Sequence, residues 1–357
     1  MGGPFECLPV LPTTVVGSFP VPEWMERLKT DHFRGRVSRA QLADVHDMAI
    51  KAALRDQELA GIDIVSDGEL RRDNDIDYFL ARLPGVEVRQ TTKDFYFDYH
   101  DTAVTAPLPP ATGDELAWLA DDFAYTAAQT TAPIKFSFTG PYSLARRLRN
   151  HAYADQRELV LAIAHRLNAA AHALAARGAT LLQIDEPFLA GRPGDVDVAV
   201  EGVNVVTAGV DVSWALHVCY GNRYARPSWE GHYDFLFPAV LDARVDQLVL
   251  EFARKGYEDL PVLERFGWDR RIGLGVVDVK SQDVESPGTV AKRIRAALDL
   301  VAAEQLVINP DCGLRNLSGA VARAKLAAMV EGTAQVRRTL RPSPVAGQTP
   351  DPIAQGA

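Results

Sequence analysis

Short apolar runs rich in β-branched residues alternate along the chain with longer stretches whose apolar positions recur every three or four residues. The short runs predict buried strands and the periodic stretches amphipathic helices. Strands are predicted at residues 13–17, 62–66, 134–138, 180–184, 213–218, 247–250, 271–275 and 306–309, with helices at 38–60, 155–176, 287–303 and 317–335. Alternating strand and helix implies parallel strands joined by right-handed crossovers. Eight such units in 357 residues predict an α/β fold, a (β/α)8 TIM barrel, as a single domain over residues 1–340. A doubly wound open sheet is the alternative. It would be expected to carry a glycine-rich phosphate motif after the first strand, and none is present.

Two connections are long. Residues 75–131 contain VEVRQ and DFYFDY, which alternate like strands and predict a β-hairpin insertion after strand 2, over the barrel mouth. Residues 220–244 include a predicted helix at 234–242. The tail, residues 341–357, is rich in Pro, Gly and Gln, a composition that predicts disorder.

A formal net charge of −9 speaks against a nucleic-acid partner, which would call for a basic face. No apolar run is read as long enough for the roughly 18 residues of a membrane span, and the N-terminus has no signal-like pattern. Three cysteines are too few for a disulfide framework, so a reducing, cytoplasmic setting is expected.

Chemistry collects where the predicted strands end. Those ends carry Ser18, Glu69, Thr139, Asp185, His217 with Cys219, Glu251, Asp278 with Lys280, and Cys312. In a barrel they would ring a single mouth. His217 and Cys219 are two apart, so on a strand they share a face. His217, Cys219, Glu251 and Cys312 together form a closed donor set for one tetrahedral Zn²⁺. Singly, each has a plainer reading: a hydrogen-bonded core histidine, buried small thiols, a salt-bridged carboxylate. A thiolate-rich zinc site suits binding a substrate thiol as its anion, which points to alkyl transfer to sulfur.

These residues resemble the catalytic barrel of cobalamin-independent methionine synthase. The resemblance lies in His217-Val218-Cys219-Tyr220, Glu251 at the end of the next strand, and the Asn309-Pro310-Asp311-Cys312-Gly313-Leu314 run. It extends to VVGSFP (15–20), SDGELRRDN (66–74), FTGPYS (138–143) and QIDEP (183–187). The resemblance implies zinc on His217, Cys219, Glu251 and Cys312, and homocysteine as the thiol. Glu69 and Asp185 would take its ammonium, and Gly17 and Ser18 its carboxylate. Glu251 would be the weak ligand that yields to the incoming sulfur.

Two positions depart from the family pattern. GVVDVKS places Lys280 where folate-using members carry a histidine, and Arg147 stands where they stack a tryptophan. Asp278 and Lys280 remain the candidates for catalytic charge or proton handling. The methyl donor is then either 5-methyltetrahydrofolate or a methylated corrinoid, the latter delivered free or by a corrinoid protein. An alternative is a thiol alkyltransferase of the epoxyalkane:coenzyme M transferase type. Weaker ones are a decarboxylase related to uroporphyrinogen decarboxylase and a non-catalytic zinc- or corrinoid-binding partner.

Overall fold

The computed structural model describes residues 5–89, 97–110 and 116–340. In chain order its strands are β1 (Val86–Arg89), β2 (Asp101–Val104), β3 (Phe136–Thr139), β4 (Leu148–Asn150), β5 (Leu181–Asp185), β6 (Ser213–Val218), β7 (Gln247–Leu250), β8 (Arg271–Gly275) and β9 (Leu306–Asn309). Six of them form one sheet in the order β3-β5-β6-β7-β8-β9, with every pairing parallel. Nearly every position in these strands is buried. Burial on both faces explains why β6 to β9 read as mostly apolar runs; β3 and β5 also bury polar residues, Ser137, Thr139 and Gln183.

The strands predicted at 13–17 and 62–66 are shorter than expected. They reduce to single parallel bridges, Thr13 to Ile308, Thr14 to Ile64, and Val65 to Ile134. The bridges lead from β9 through these two segments back to the residues just before β3.

The long helices begin where their caps predict. Ser38 and Gln41 form a reciprocal capping box at the start of Arg39–Ala60, and Asp155, Ser286 and Ser318 each accept a first-turn N–H from Gln156–Ala176, Pro287–Leu298 and Gly319–Arg337. Such caps satisfy donors that the first turn leaves unpaired. The helix predicted at 287–303 ends at Leu298, and residues Ala303–Gln305 form a separate short turn.

Three expectations need correction. The helix predicted at 234–242 is two 3₁₀ turns, Tyr233–Leu236 and Ala239–Asp242. Pro238 between them cannot supply the backbone N–H that a continuous helix needs. Val86–Arg89 of VEVRQ do form β1, but their antiparallel partner is β2 at Asp101–Val104, to which β4 adds in parallel. Of DFYFDY, residues 94–96 lie outside the described residues and 97–99 are irregular. Lastly, Gln156–Ala176 is long and apolar enough by composition to cross a membrane. Here it packs against the helix Val196–Thr207 and buries Leu159, Ile163, Leu167 and Leu174. The predicted tail, residues 341–357, lies outside the described residues.

Candidate active site

β6 delivers the first donor. His217 is a register partner of Asp185 on β5 and of Val249 on β7. Its Nδ1 lies 2.9 Å from the Val249 carbonyl. That bond fixes the Nδ1–H tautomer and turns Nε2 toward the strand ends as a lone-pair donor. Nε2 is buried and has no hydrogen-bond partner among the described residues. A buried polar atom left open in this way asks for a partner.

Cys219 follows β6 directly, and Cys312 lies in the loop after β9. Their sulfurs are 3.6 Å apart, far beyond a disulfide bond. Donor atoms of His217, Cys219 and Cys312 all lie within 4.8 Å of one another. Two sulfurs about 2.3 Å from a tetrahedral zinc would stand roughly 3.8 Å apart, so the pair fits one ion. Among protein groups alone, the hydrogen bond to Cys219 and burial hold the Cys312 thiol well above its usual range. Deprotonating both sulfurs would therefore call for a cation beside them. The imidazole of His217 is drawn above its ordinary value, burial opposing the shift and the neighbouring Cys312 sulfur outweighing it.

Glu251, the expected fourth donor, stands outside this trio. It lies just past β7 and is fully buried. Its Oε2 is 2.7 Å from the Lys280 ammonium, and its Oε1 is 3.2 Å from Arg254 Nε. The predicted closed set of four is therefore three converged donors with a salt-bridged carboxylate beside them.

The loops carrying these residues are tied together. Asn222 donates to the Gly313 carbonyl at 2.9 Å, joining the loop after β6 to the loop after β9. Asp311 accepts the backbone N–H groups of Phe252, Ala253 and Arg254, fixing the segment after Glu251. Burial, with the Glu251 charge adding, pushes the Asp311 carboxyl up to about 7. Tyr233 donates to the Val218 carbonyl and accepts the Glu251 N–H, at 2.9 and 3.0 Å.

A cavity of about 240 Å³ opens beside the donor trio, and Gly17, Ser18, Glu69 and Asp185 all line it. A Cβ at Gly17 would collide with the Glu69 carboxylate, and one at Gly313 with the Ser18 hydroxyl. Glycine at both positions is what lets the carboxylate and the hydroxyl stand so close to the backbone. Glu69 accepts from Ser137 at 2.8 Å and pairs with buried Arg72 at 3.2 Å. Burial pushes the Asp185 carboxyl up to about 7, with His217 opposing and Glu69 adding. Two such carboxylates facing a cavity are matched to a cationic group.

Asp278 and Lys280 do not line this cavity. The Asp278 carboxylate accepts the Lys280 backbone N–H at 2.8 Å, and Lys280 reaches Glu251. His232 is mostly exposed and pairs with Asp259. Arg147 lies with its guanidinium 4.5 Å from the centre of the Tyr99 ring.

Sequence reasoning missed the side of the cavity built by the β1–β2 region. Phe97, Tyr99 and Asp75 line it, and Tyr99 donates to Asp75 at 2.9 Å. Burial raises the Asp75 carboxyl above its ordinary value. Trp229 and Phe188, ring centres 5.7 Å apart, face them across the cavity. The aromatic pattern of residues 95–99 is the sequence signal for this wall, and its alternation alone predicts only a strand.

Residues 11–335 match the family model of the cobalamin-independent synthase catalytic domain. The chain belongs to the cobalamin-independent methionine synthase family. It is 34% identical over 339 residues to a methionine synthase of Saccharolobus solfataricus, covering 94% of this chain and 97% of that one. A methionine synthase of Sulfurisphaera tokodaii is likewise 34% identical over 339 residues, at 94% and 95% coverage. Among solved structures, the B12-independent methionine synthase from Shewanella sp. W3-18-1 in complex with selenomethionine superposes with a TM-score of 0.79 at 27% identity, covering 92% of this chain and 98% of that one. The protein is thus a methyltransferase enzyme of the methionine synthase type, with an α/β fold built on a parallel sheet.

Proposed function

We propose that this methyltransferase is zinc-dependent and passes a methyl group to the thiol of homocysteine, forming methionine. The observation that carries the reading is the donor trio of His217, Cys219 and Cys312, with its open Nε2, at the wall of a cavity that also holds Glu69 and Asp185. Zinc bound there would act as a Lewis acid that keeps a substrate thiol deprotonated at neutral pH.

The chain's own residues do the rest. Glu69 and Asp185 bind the substrate ammonium through charge-assisted hydrogen bonds. Ser18 and the backbone at Gly17 receive its carboxylate. Held at both ends, the substrate presents its sulfur toward the trio, and the apolar wall of Trp229 and Phe188 keeps water from the transferring methyl. Orientation of this kind supplies much of the rate gain in a two-substrate displacement. Glu251 is the fourth, exchangeable donor. We read the parallel sheet with its three bridges as the closed (β/α)8 barrel, with the β1–β2 hairpin over its mouth.

For the donor, the candidates are 5-methyltetrahydrofolate and a methylated corrinoid, alone or on a corrinoid protein. Arg147 stacked on Tyr99 replaces the tryptophan expected of folate-using members, which favours the corrinoid. The relatives matched are methionine synthases, so a coenzyme M-type acceptor is the weaker reading. Single-turnover assays crossing methylcobalamin and methyltetrahydrofolate with homocysteine and coenzyme M test this. Methionine formed from methylcobalamin and homocysteine is the expected result. Transfer to coenzyme M in preference to homocysteine would overturn it.

A further inference from the structure

Glu251 is buried with both carboxylate oxygens already held. Lys280 Nζ lies 2.7 Å from Oε2 and Arg254 Nε 3.2 Å from Oε1, with the Glu251 and Lys280 side chains 0% and 4% exposed. The Tyr220 N–H adds a longer contact to Oε2 at 3.4 Å. Arg254 is shared, since its two terminal nitrogens grip Glu230 at 2.9 and 3.1 Å. Lys280 is not shared in this way. Its backbone N–H is fixed by Asp278, and its ammonium is directed at Glu251 alone among the side-chain partners of the described residues.

A buried carboxylate that loses its cationic partner leaves an uncompensated charge, so such a pair resists being opened. Any metal that recruits Glu251 must therefore compete with Lys280 at Oε2 or with the more distant, shared Arg254 at Oε1. Among the described residues no salt bridge or hydrogen bond ties a Lys or Arg side chain to the donor atoms of His217, Cys219 or Cys312, although the Lys280 charge is felt at both sulfurs.

We infer that Lys280 is a positioning residue that holds Glu251 back from the metal, leaving three firm protein donors and a fourth position that the substrate thiol takes. The inference rests on the zinc-thiol reading above and goes beyond it by assigning what sets the strength of the exchangeable ligand. In Lys280→Met the carboxylate loses its strongest partner and turns to the metal. Zinc is then held more tightly and the thiol less so, two effects of opposite sign that a merely structural lysine would not produce.

The test measures zinc affinity by competition with a chromophoric chelator, and homocysteine affinity by calorimetry on the zinc-loaded full chain. Lys280→Met should bind zinc about tenfold tighter or more, the scale on which outer-shell partners act, and homocysteine about tenfold more weakly. Lys280→Arg should stay near the parent. In a Glu251→Gln background, Lys280→Met should change neither affinity, because the coupling partner is gone. Folded Lys280→Met with unchanged or weakened zinc binding overturns the role of Lys280 while leaving the zinc reading intact. A parent chain that binds no zinc overturns both.

Discussion

Glu69 has a backbone φ of +55°, a left-handed conformation that costs a non-glycine residue on the order of 1–3 kcal/mol. The surrounding structure holds it there: Gly17 leaves room for the carboxylate, and Ser137 and Arg72 aim it. Strain kept in place beside a cavity fits a binding role. Glu69→Gln, which removes the charge and keeps the shape, should raise the KM for homocysteine about 10- to 100-fold, the loss of one charge-assisted hydrogen bond. Zinc content should stay unchanged, and an unaltered KM would mean that the ammonium lies elsewhere. At this scale the sequence was legible wherever one strand or one turn set the geometry. His217 and Cys219 share a face because they are two apart, and Cys312 follows a turn. The Glu251–Lys280 pair was not legible, because it joins loops from two strands through side-chain reach. Asp75 and Tyr99 were hidden for the same reason, their meeting depending on how the β1–β2 region folds back.

The strands β6 to β9 have the bounds that their apolar runs predict, since strands buried on both faces are mostly apolar along their length, with the buried polar residues His217, Gln247 and Asn309 near their ends. The segments at 13–17 and 62–66 carry the same signal but pair only at single bridges. Pattern reports burial, and burial extends beyond the hydrogen-bonded ladder. The loop that bears Lys280 is anchored from a distant element. Lys325 on the helix Gly319–Arg337 is wholly buried and pairs with Glu285 at 2.8 Å, and Glu285 accepts the Asp278 N–H at 2.7 Å. No local pattern marks such an anchor. A lysine in an amphipathic helix reads as solvent-facing until the packing is known.

Over the whole molecule, the alternation of strand and helix was enough to predict an α/β fold with parallel strands, because few topologies satisfy it. Buried titratable groups outside the cavity were invisible at that level, and they shape the response to acid. His46 on the helix Arg39–Ala60 is buried. Burial, reinforced by Lys29 and Arg71, lowers its pKa from 6.5 to about 2. Below pH 6.5 the unfolded chain takes up a proton that the folded chain refuses. The stability linked to His46 is therefore complete above pH 6.5 and is lost as pH falls toward 2, by about 1.4 kcal/mol per pH unit. At pH 5 the loss is about 2 kcal/mol. Urea unfolding of His46→Leu should show a fall between pH 7 and pH 5 smaller by about that amount. Equal slopes in parent and variant would show that His46 titrates normally.

The central claim is that Cys219, Cys312 and His217 share one zinc and leave it a place for the substrate sulfur. X-ray absorption at the zinc edge, recorded on the zinc-loaded chain before and after adding homocysteine, tests it most directly. The account predicts a sulfur shell at about 2.3 Å that grows from two scatterers to three when homocysteine binds. A shell that stays at two, with homocysteine bound, would contradict it.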